Sequence, residues 1–188
     1  MEKVSFNPQT AAYPMPVAIV GATVNDKPNF MAVAWFSKVN NDPPMMMIGI
    51  GKEKYTGEGI KENMAFSINI PGKDLVKETD YCGLKSGRTE DKSRFFKVFY
   101  GETGTAPMIQ ECSVNYELKL VETIELPGNN LFIGEIVAAY TDEKSLSGQK
   151  PDLPKTEPLI LVVSPTPHYY DLGSQIADAF KIGNDLTK

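Results

Sequence analysis

The sequence predicts a mainly β protein, a barrel of six or seven mostly antiparallel strands in a Greek-key-like order with a few short helices. Apolar and β-branched runs recur along the chain, and clusters of Pro, Gly, Asn and Asp end them. The runs lack the regular spacing of βαβ units, and closure into a barrel would remove exposed strand edges. No linker, repeat or low-complexity tract divides residues 1–188, so we expect a single domain.

Seven segments have the pattern of strands. The first two are typical of a hairpin, with a loop of about five residues around Asn25-Asp26-Lys27-Pro28. Period-two alternation in two later segments predicts that Ser67, Asn69, Asn115 and Glu117 point outward. The predicted strands are residues 16–24, 30–39, 45–50, 65–70, 112–121, 131–140 and 158–163.

Three helices are predicted. Thr56 is the expected N-cap of the first, and Asn63 would close it. Residues 73–83 form the second. Residues 173–182 have apolar side chains at helical spacing and form the third.

Composition excludes several kinds of chemistry. A single His and two Cys without a CxxC motif cannot supply a structural zinc site or a redox dithiol, so no metal is expected. The net charge of −5 argues against a nucleic-acid partner. The chain has neither a signal-peptide pattern nor a membrane-spanning apolar run, so we expect a cytoplasmic protein that does not bind membranes. Cys82 and Cys112 are then reduced thiols, which we interpret as buried small residues rather than redox centres.

Two segments could hold a phosphate group, although neither is specific by itself. A helix beginning at Thr56 would present free N–H groups to an anion, or Thr56 could simply cap its own helix. Residues 86–92 combine a small hydroxyl, a glycine able to form an anion nest, and the cations Arg88 and Lys92, or they form a solvated polar loop. No dinucleotide-binding or P-loop motif occurs.

Two aromatic features stand apart from these segments. Trp35 follows Ala32 and Ala34 and could border a flat slot for a ring system, or it could pack in the core. His168 has no partner that spacing can identify, so a surface or packing role is the better interpretation.

Taken in order, the motifs of this chain resemble the flavin reductase-like family with an FMN-binding split barrel, and within it the flavoredoxins. Each piece is weak, but the series spans nearly the whole chain. The resemblance is carried by Tyr13-Pro-Met-Pro-Val17, Asn29-x-Met31-x-x-x-Trp35-x-Ser37, Pro43-Pro44, Tyr55-Thr56 with Ile60, Asn69-Ile-Pro71, Ser86-Gly87 with Asp91-Lys92, Ala106-Pro107, Glu111-Cys112 and Phe132-Ile-Gly-Glu-Ile136.

The resemblance implies a homodimer with one non-covalently bound FMN per subunit near the interface. Several residues would then contact the cofactor. Asn29 and the segment Met31, Ala32, Val33, Ala34 and Trp35 would line the isoalloxazine ring and ribityl chain; Thr56, Ser86, Gly87 and Lys92 would hold the phosphate; and Tyr169 would lie close to the flavin. Asn129 stands where similar sequences often have His, which puts the role of that position in doubt.

The implied function is that of an FMN-binding oxidoreductase. Electrons would pass from NAD(P)H, or from a reduced protein partner, through FMN to an acceptor. The flavin would carry the chemistry, so no catalytic side chain is expected. No residue separates a reductase from an electron carrier. The alternative is a split barrel that binds another ligand or serves as a structural dimer.

Overall fold

A computed structural model of the chain describes residues 2–187. The strands are β1 Met15–Pro16, β2 Ala18–Val24, β3 Lys27–Val33, β4 Phe36–Asn41, β5 Pro44–Gly51, β6 Ala65–Ile70, β7 Val98–Phe99, β8 Met108–Ile109, β9 Val114–Glu125, β10 Asn129–Thr141, β11 Leu146–Ser147, β12 Lys150–Pro151, β13 Ile160–Val162 and β14 His168–Tyr170. The α-helices are α1 Tyr55–Asn63, α2 Val76–Leu84 and α3 Leu153–Thr156, and 3₁₀ turns cover Lys73–Leu75, Ser93–Phe95, Glu143–Ser145 and Ile182–Thr187.

Seven strands form one sheet in the order β3-β2-β6-β9-β10-β5-β4, and every neighbouring pair is antiparallel. The edge strands β3 and β4 are not paired with each other, so the barrel is split between them. The predicted mainly β split barrel is confirmed. A small sheet of β1, β13 and β14 lies outside it.

The first hairpin is tighter than predicted. Val24 of β2 pairs with Lys27 of β3, which leaves a two-residue turn. Asn25 and Asp26 have φ values of 49° and 60°. Two successive positive φ values are the signature of a type I′ turn, whose twist matches that of the flanking strands. The prediction of a loop of about five residues was therefore wrong, because Lys27 and Pro28 already belong to β3.

The predicted strand of residues 30–39 is two strands. It breaks at Ala34 and Trp35, where the chain leaves β3 at one edge of the sheet and enters β4 at the other. Because this crossing bridges the split in the barrel, Ala34 and Trp35 lie beside the gap between the two edges.

The main core fills the inside of the barrel. Phe66, Leu118 and Phe132 are completely buried there, and α1 closes one end of the barrel by inserting Ile60. A second apolar cluster lies on the outer face, where Cys82 of α2 and Cys112 pack against Phe30 of β3. Both faces of part of the sheet are therefore buried.

This covering overturns the predicted outward face of β6 and β9. Ser67, Asn69, Asn115 and Glu117 are all buried, because residues 101–109 run across them. Asn69 Oδ1 accepts hydrogen bonds from the Ile109 amide at 3.1 Å and from Asn115 Nδ2 at 2.8 Å. The Glu117 carboxylate accepts bonds from the amides of Glu102 and Thr103 at 2.9 and 2.7 Å. Period-two alternation could not distinguish a face exposed to solvent from one covered by a loop that hydrogen-bonds to its polar side chains.

Two helix predictions also need correction. Lys54 is the N-cap of α1, so Thr56 lies inside the first turn and does not cap the helix. The predicted helix at residues 173–182 does not form: Gly173 to Ala179 contain no helix, and only a 3₁₀ turn follows at Ile182–Thr187. The helix predicted at residues 73–83 is present as a 3₁₀ turn followed by α2. Within residues 2–187, no helix is long and apolar enough to span a membrane.

Candidate functional site

The predicted phosphate residues lie together in a cavity of about 220 Å³ between the start of α1 and the segment that follows α2. Thr56, Ser86, Gly87 and Lys92 all line it, together with Met31 from β3. Thr56 and Ser86, which are 30 positions apart in the sequence, thus line the same pocket.

Lys92 is the buried cation of this cavity, whose lining also includes the exposed residues Glu53, Lys54 and Lys85. The Lys92 side chain is 3% exposed, and its ammonium donates hydrogen bonds to the carbonyl oxygens of Lys85 at 2.6 Å and Cys82 at 3.3 Å. Among residues 2–187, no carboxylate oxygen lies within ion-pair distance of it. Burial lowers the pKa of Lys92 because the charged form loses hydration. A buried cation without a counter-ion fits an anionic ligand.

Asn29 connects the phosphate residues to one another. Its Nδ2 donates to Thr56 Oγ1 at 2.8 Å, and both side chains are buried. Because Thr56 accepts this bond, its hydroxyl proton remains available to donate into the cavity. On the other side, the Asn29 amide oxygen occupies the space that a Cβ at Gly87 would need. Glycine is required at position 87 for this close approach.

Arg88 does not share the role of Lys92. Its guanidinium forms an ion pair with Glu58 and stacks 4.8 Å above the centre of the Tyr55 ring. Tyr55 in turn accepts a bond from Asn25 Nδ2 at 2.9 Å. Arg88 therefore holds residues 86–92 against α1 and compensates the charge of Glu58, which would otherwise repel a nearby phosphate.

A second cleft of about 180 Å³ contains the predicted ring residues. Met31, Ala32, Val33, Ala34 and Trp35 line it together with Asn129, which pairs with Gly51 across β10 and β5. Trp35 is 52% exposed, so core packing was the wrong alternative for it. Met31 lines both the cleft and the phosphate cavity, so the two are neighbours.

The two glycines Gly49 and Gly51 of β5 form the floor of this cleft, and the sequence interpretation missed them. A Cβ at Gly49 would lie 3.6 Å from the Cβ of Trp35. Two glycines at alternate positions of a strand, on the face opposite the core, were the available signal of close approach to the backbone.

Tyr169 lines neither cavity. It belongs to β14, and its hydroxyl donates to Asp80 Oδ1 of α2 at 3.1 Å. Burial, together with this hydrogen bond to a carboxylate, raises the pKa of Tyr169 to about 12. In this chain Tyr169 ties β14 to α2 and borders neither cavity.

The other side chains that could be reactive are one exposed histidine and two buried thiols. His168 is exposed and has Thr166 Oγ1 at 2.9 Å from its Nε2. Burial raises the pKa of the Cys82 thiol to about 11 and that of Cys112 well above its usual value. Both thiols therefore remain protonated near neutral pH, as expected for buried small residues.

Comparisons with known proteins agree with this architecture. A crystal structure of flavoredoxin from Methanosarcina acetivorans is 49% identical and superimposes with a TM-score of 0.96, covering 99% of this chain and 100% of that one. Flavoredoxin of Desulfovibrio vulgaris (Miyazaki F) is 36% identical with a TM-score of 0.89, covering 97% and 100%. An uncharacterized protein of Archaeoglobus fulgidus is 30% identical over 75% of this chain and 80% of its own length.

Residues 10–163 match the family model described as flavin reductase like domain. This match covers most of the chain, including every residue that lines the two cavities. The chain belongs to the flavin reductase-like domain family.

Proposed function

We propose that the chain is an FMN-binding oxidoreductase of the flavoredoxin type, which acts as one domain and holds FMN non-covalently. The observation that carries this proposal is the buried Lys92 ammonium, which lines a cavity without a carboxylate partner among residues 2–187. The phosphate of FMN carries nearly two negative charges and would supply the missing counter-ion. The names of the two flavoredoxin relatives support the choice of a flavin.

Each residue of the phosphate cavity has a separate task. Lys92 would donate a charge-assisted hydrogen bond, and Thr56, oriented by Asn29, would donate through its hydroxyl. Ser86 adds a second hydroxyl. Gly87 keeps the backbone close to Asn29, so that the segment of residues 86–92 can close over the ligand.

The neighbouring cleft would hold the ring system. Met31 to Trp35 and Asn129 line it, and Trp35 offers an exposed indole face for stacking. When bound, FMN supplies hydride and single-electron chemistry, so the chain needs no general base of its own. Within residues 2–187, the residues that line the cleft include no ionisable side chain, which is consistent with chemistry carried by the flavin.

We further propose that NAD(P)H or a reduced protein is the electron donor and that the chain works as a homodimer. The family resemblance supports both statements. The open, shallow form of the Trp35 cleft also supports the dimer, because a second subunit would cover it. We also propose a cytoplasmic location, which agrees with the two cysteines being free thiols.

The proposal is tested by the absorption spectrum of the purified protein. We expect a yellow protein with flavin bands, or a colourless one that regains them when FMN is added. Adding NADH or NADPH without oxygen should bleach the bands if the chain accepts electrons from a nicotinamide. Bleaching only by a reduced protein would identify a carrier. A protein that cannot be reconstituted with FMN would contradict the proposal and favour a split barrel with another ligand.

A further inference from the structure

The C-terminal segment, residues 173–187, carries large apolar side chains that its own chain does not cover. Ile176 is 96% exposed, Leu186 is 92% exposed, and Phe180 is fully exposed. Ile182 is more than half exposed. Isolated exposed apolar residues are ordinary, but four within 15 residues form a surface that usually has a partner.

The segment also has a counterpart in a solved protein. The flavoredoxin from Methanosarcina acetivorans superimposes on 99% of this chain with a TM-score of 0.96. The part of the chain covered by this comparison therefore includes nearly all of residues 173–187. The segment therefore belongs to the part of the chain that has a counterpart in the solved flavoredoxin.

An apolar cavity at the end of the barrel opposite α1, here called the mouth, has the complementary chemistry. Its volume is about 590 Å³, which exceeds that of the phosphate cavity. Its lining is almost entirely apolar and includes Met15, Phe36, Met46, Leu153, Ile160 and Leu172. Mouths of β-barrels are regular positions for apolar occupants.

The segment and the mouth meet at one residue. Leu172 lines the mouth, and the chain then runs away from its own barrel, so that Ile176 and Phe180 contact almost nothing within the subunit. Each copy thus supplies one uncovered apolar segment and one apolar mouth, side by side. A two-fold axis beside this patch would bring the same patch of both copies together, so that the segment leaving one mouth would reach the other.

We propose that the C-terminal segment of a second copy of this chain fills the mouth, as a reciprocal exchange between two subunits. The inference rests on the homodimer in the proposed function and names the contact that forms it. An unrelated partner could cover the segment or the mouth, but a second copy covers both at once in equal numbers.

Cross-linking between separately purified variants tests the exchange. One sample carries Phe180→Cys, the other Leu153→Cys, and the two are mixed, allowed to exchange subunits and oxidised. Phe180 and Leu153 are exposed, whereas Cys82 and Cys112 are buried and should not compete. We expect a disulfide-linked dimer that contains one subunit of each kind. Replacing Leu153→Cys by Val121→Cys, an exposed position on β9, should remove that product.

A second pair of variants tests the same contact without cross-linking. Ile176→Asp combined with Phe180→Asp should weaken the dimer at least tenfold in light-scattering measurements, whereas Phe6→Asp, also at an exposed apolar residue, should not. Failure of both the mixed cross-link and the dissociation would overturn the exchange, as would an internal cross-link within one Phe180→Cys, Leu153→Cys chain. Flavin absorbance is recorded separately, so loss of FMN binding would contradict only the proposed function.

Discussion

The two ends of the barrel are completed by different means. At one end α1 plugs the core, and beside its first turn lies a small polar cavity with a buried ammonium that forms no ion pair within residues 2–187. At the other end the core is left open as a larger apolar mouth. Both are places where burial within the chain is incomplete. The first has a buried ammonium with no carboxylate partner among residues 2–187, and the second has apolar surface that those residues leave uncovered.

The polar cavity has the chemistry of a ligand site, whereas the apolar mouth has the chemistry of a protein–protein contact. A buried ammonium without a counter-ion is unfavourable until an anion arrives, so the polar end is prepared for a small charged ligand. An apolar cavity gains stability from any apolar group that displaces water, so the mouth suits a peptide segment. We therefore expect changes at the two ends to have independent effects.

The largest expected effect comes from removing the cation at the polar end. Lys92→Met should weaken FMN binding by about 10- to 150-fold, because it removes a charge-assisted hydrogen bond worth about 1.5–3 kcal/mol. Riboflavin, which lacks the phosphate, should bind as before. Both affinities can be measured by fluorescence titration. Lys77→Met removes the same charge from an exposed position of α2 and is the matched control. Equal losses for FMN and riboflavin would show that Lys92 does not hold the phosphate.

Gly87→Ala is expected to have the next largest effect. The new methyl group would collide with the Asn29 amide, so Asn29 and Thr56 must shift, at a cost of about 1–3 kcal/mol. Thermal unfolding and FMN titration should both record the change. Gly128→Ala, between β9 and β10, where the methyl group would meet open space, should alter neither quantity. Unchanged FMN affinity in Gly87→Ala would mean that this close approach does not shape the site.

The pH dependence of binding gives a smaller and more specific effect. The pKa of Lys92 is lowered by burial, and the phosphate prefers the charged ammonium. FMN affinity should therefore fall as the pH rises through this lowered pKa, before ordinary exposed lysines titrate. Titrations of riboflavin serve as the reference, because both ligands share the same ring. If the ratio of the two affinities stays flat into alkaline pH, or falls equally in Lys92→Met, the cation is not Lys92.

Trp35 fluorescence distinguishes the ring cleft from the phosphate cavity. Trp35 is the only tryptophan and borders the cleft, so either FMN or riboflavin should quench its emission. Lys92→Met saturated with riboflavin should be quenched to the same extent as the unaltered protein. Unchanged emission at saturation would place the ring away from Trp35.

Tyr169→Phe should have the smallest effect. It removes one hydrogen bond to Asp80, worth about 0.5–1.5 kcal/mol, and leaves the residues that line both cavities in place. We expect slightly lower thermal stability and unchanged FMN affinity. A large loss of FMN affinity would mean that Tyr169 reaches the flavin after all, as the family resemblance implies.

Sequence patterns predicted the strands of the barrel well, because alternation and turn residues are local properties. They failed wherever a distant segment decided the outcome. Asn69 and Glu117 are polar residues at outward positions, yet residues 101–109 bury them through hydrogen bonds that no local pattern encodes. The apolar spacing of residues 173–182 predicted a helix. A short amphipathic helix is stabilised mostly by packing of its apolar face, and no other part of residues 2–187 covers Ile176 or Phe180.

The candidate site was predictable in outline and not in detail. Thr56, Ser86, Gly87 and Lys92 were expected at the phosphate, and the fold brings them together. The sequence could not assign Arg88 to Glu58, because that choice depends on how residues 86–92 lie against α1. It also suggested that Thr56 caps α1, whereas its hydroxyl accepts a bond from Asn29, 27 residues earlier.

A crystal structure of the chain with FMN tests the central claim most directly. The account predicts the phosphate in the cavity beside α1, with an oxygen at about 2.7–2.9 Å from Lys92 Nζ and another within hydrogen-bond distance of Thr56 Oγ1. It also predicts the ring in the cleft beside Trp35. A phosphate bound elsewhere, with Lys92 still donating only to the Cys82 and Lys85 carbonyls, would contradict the account.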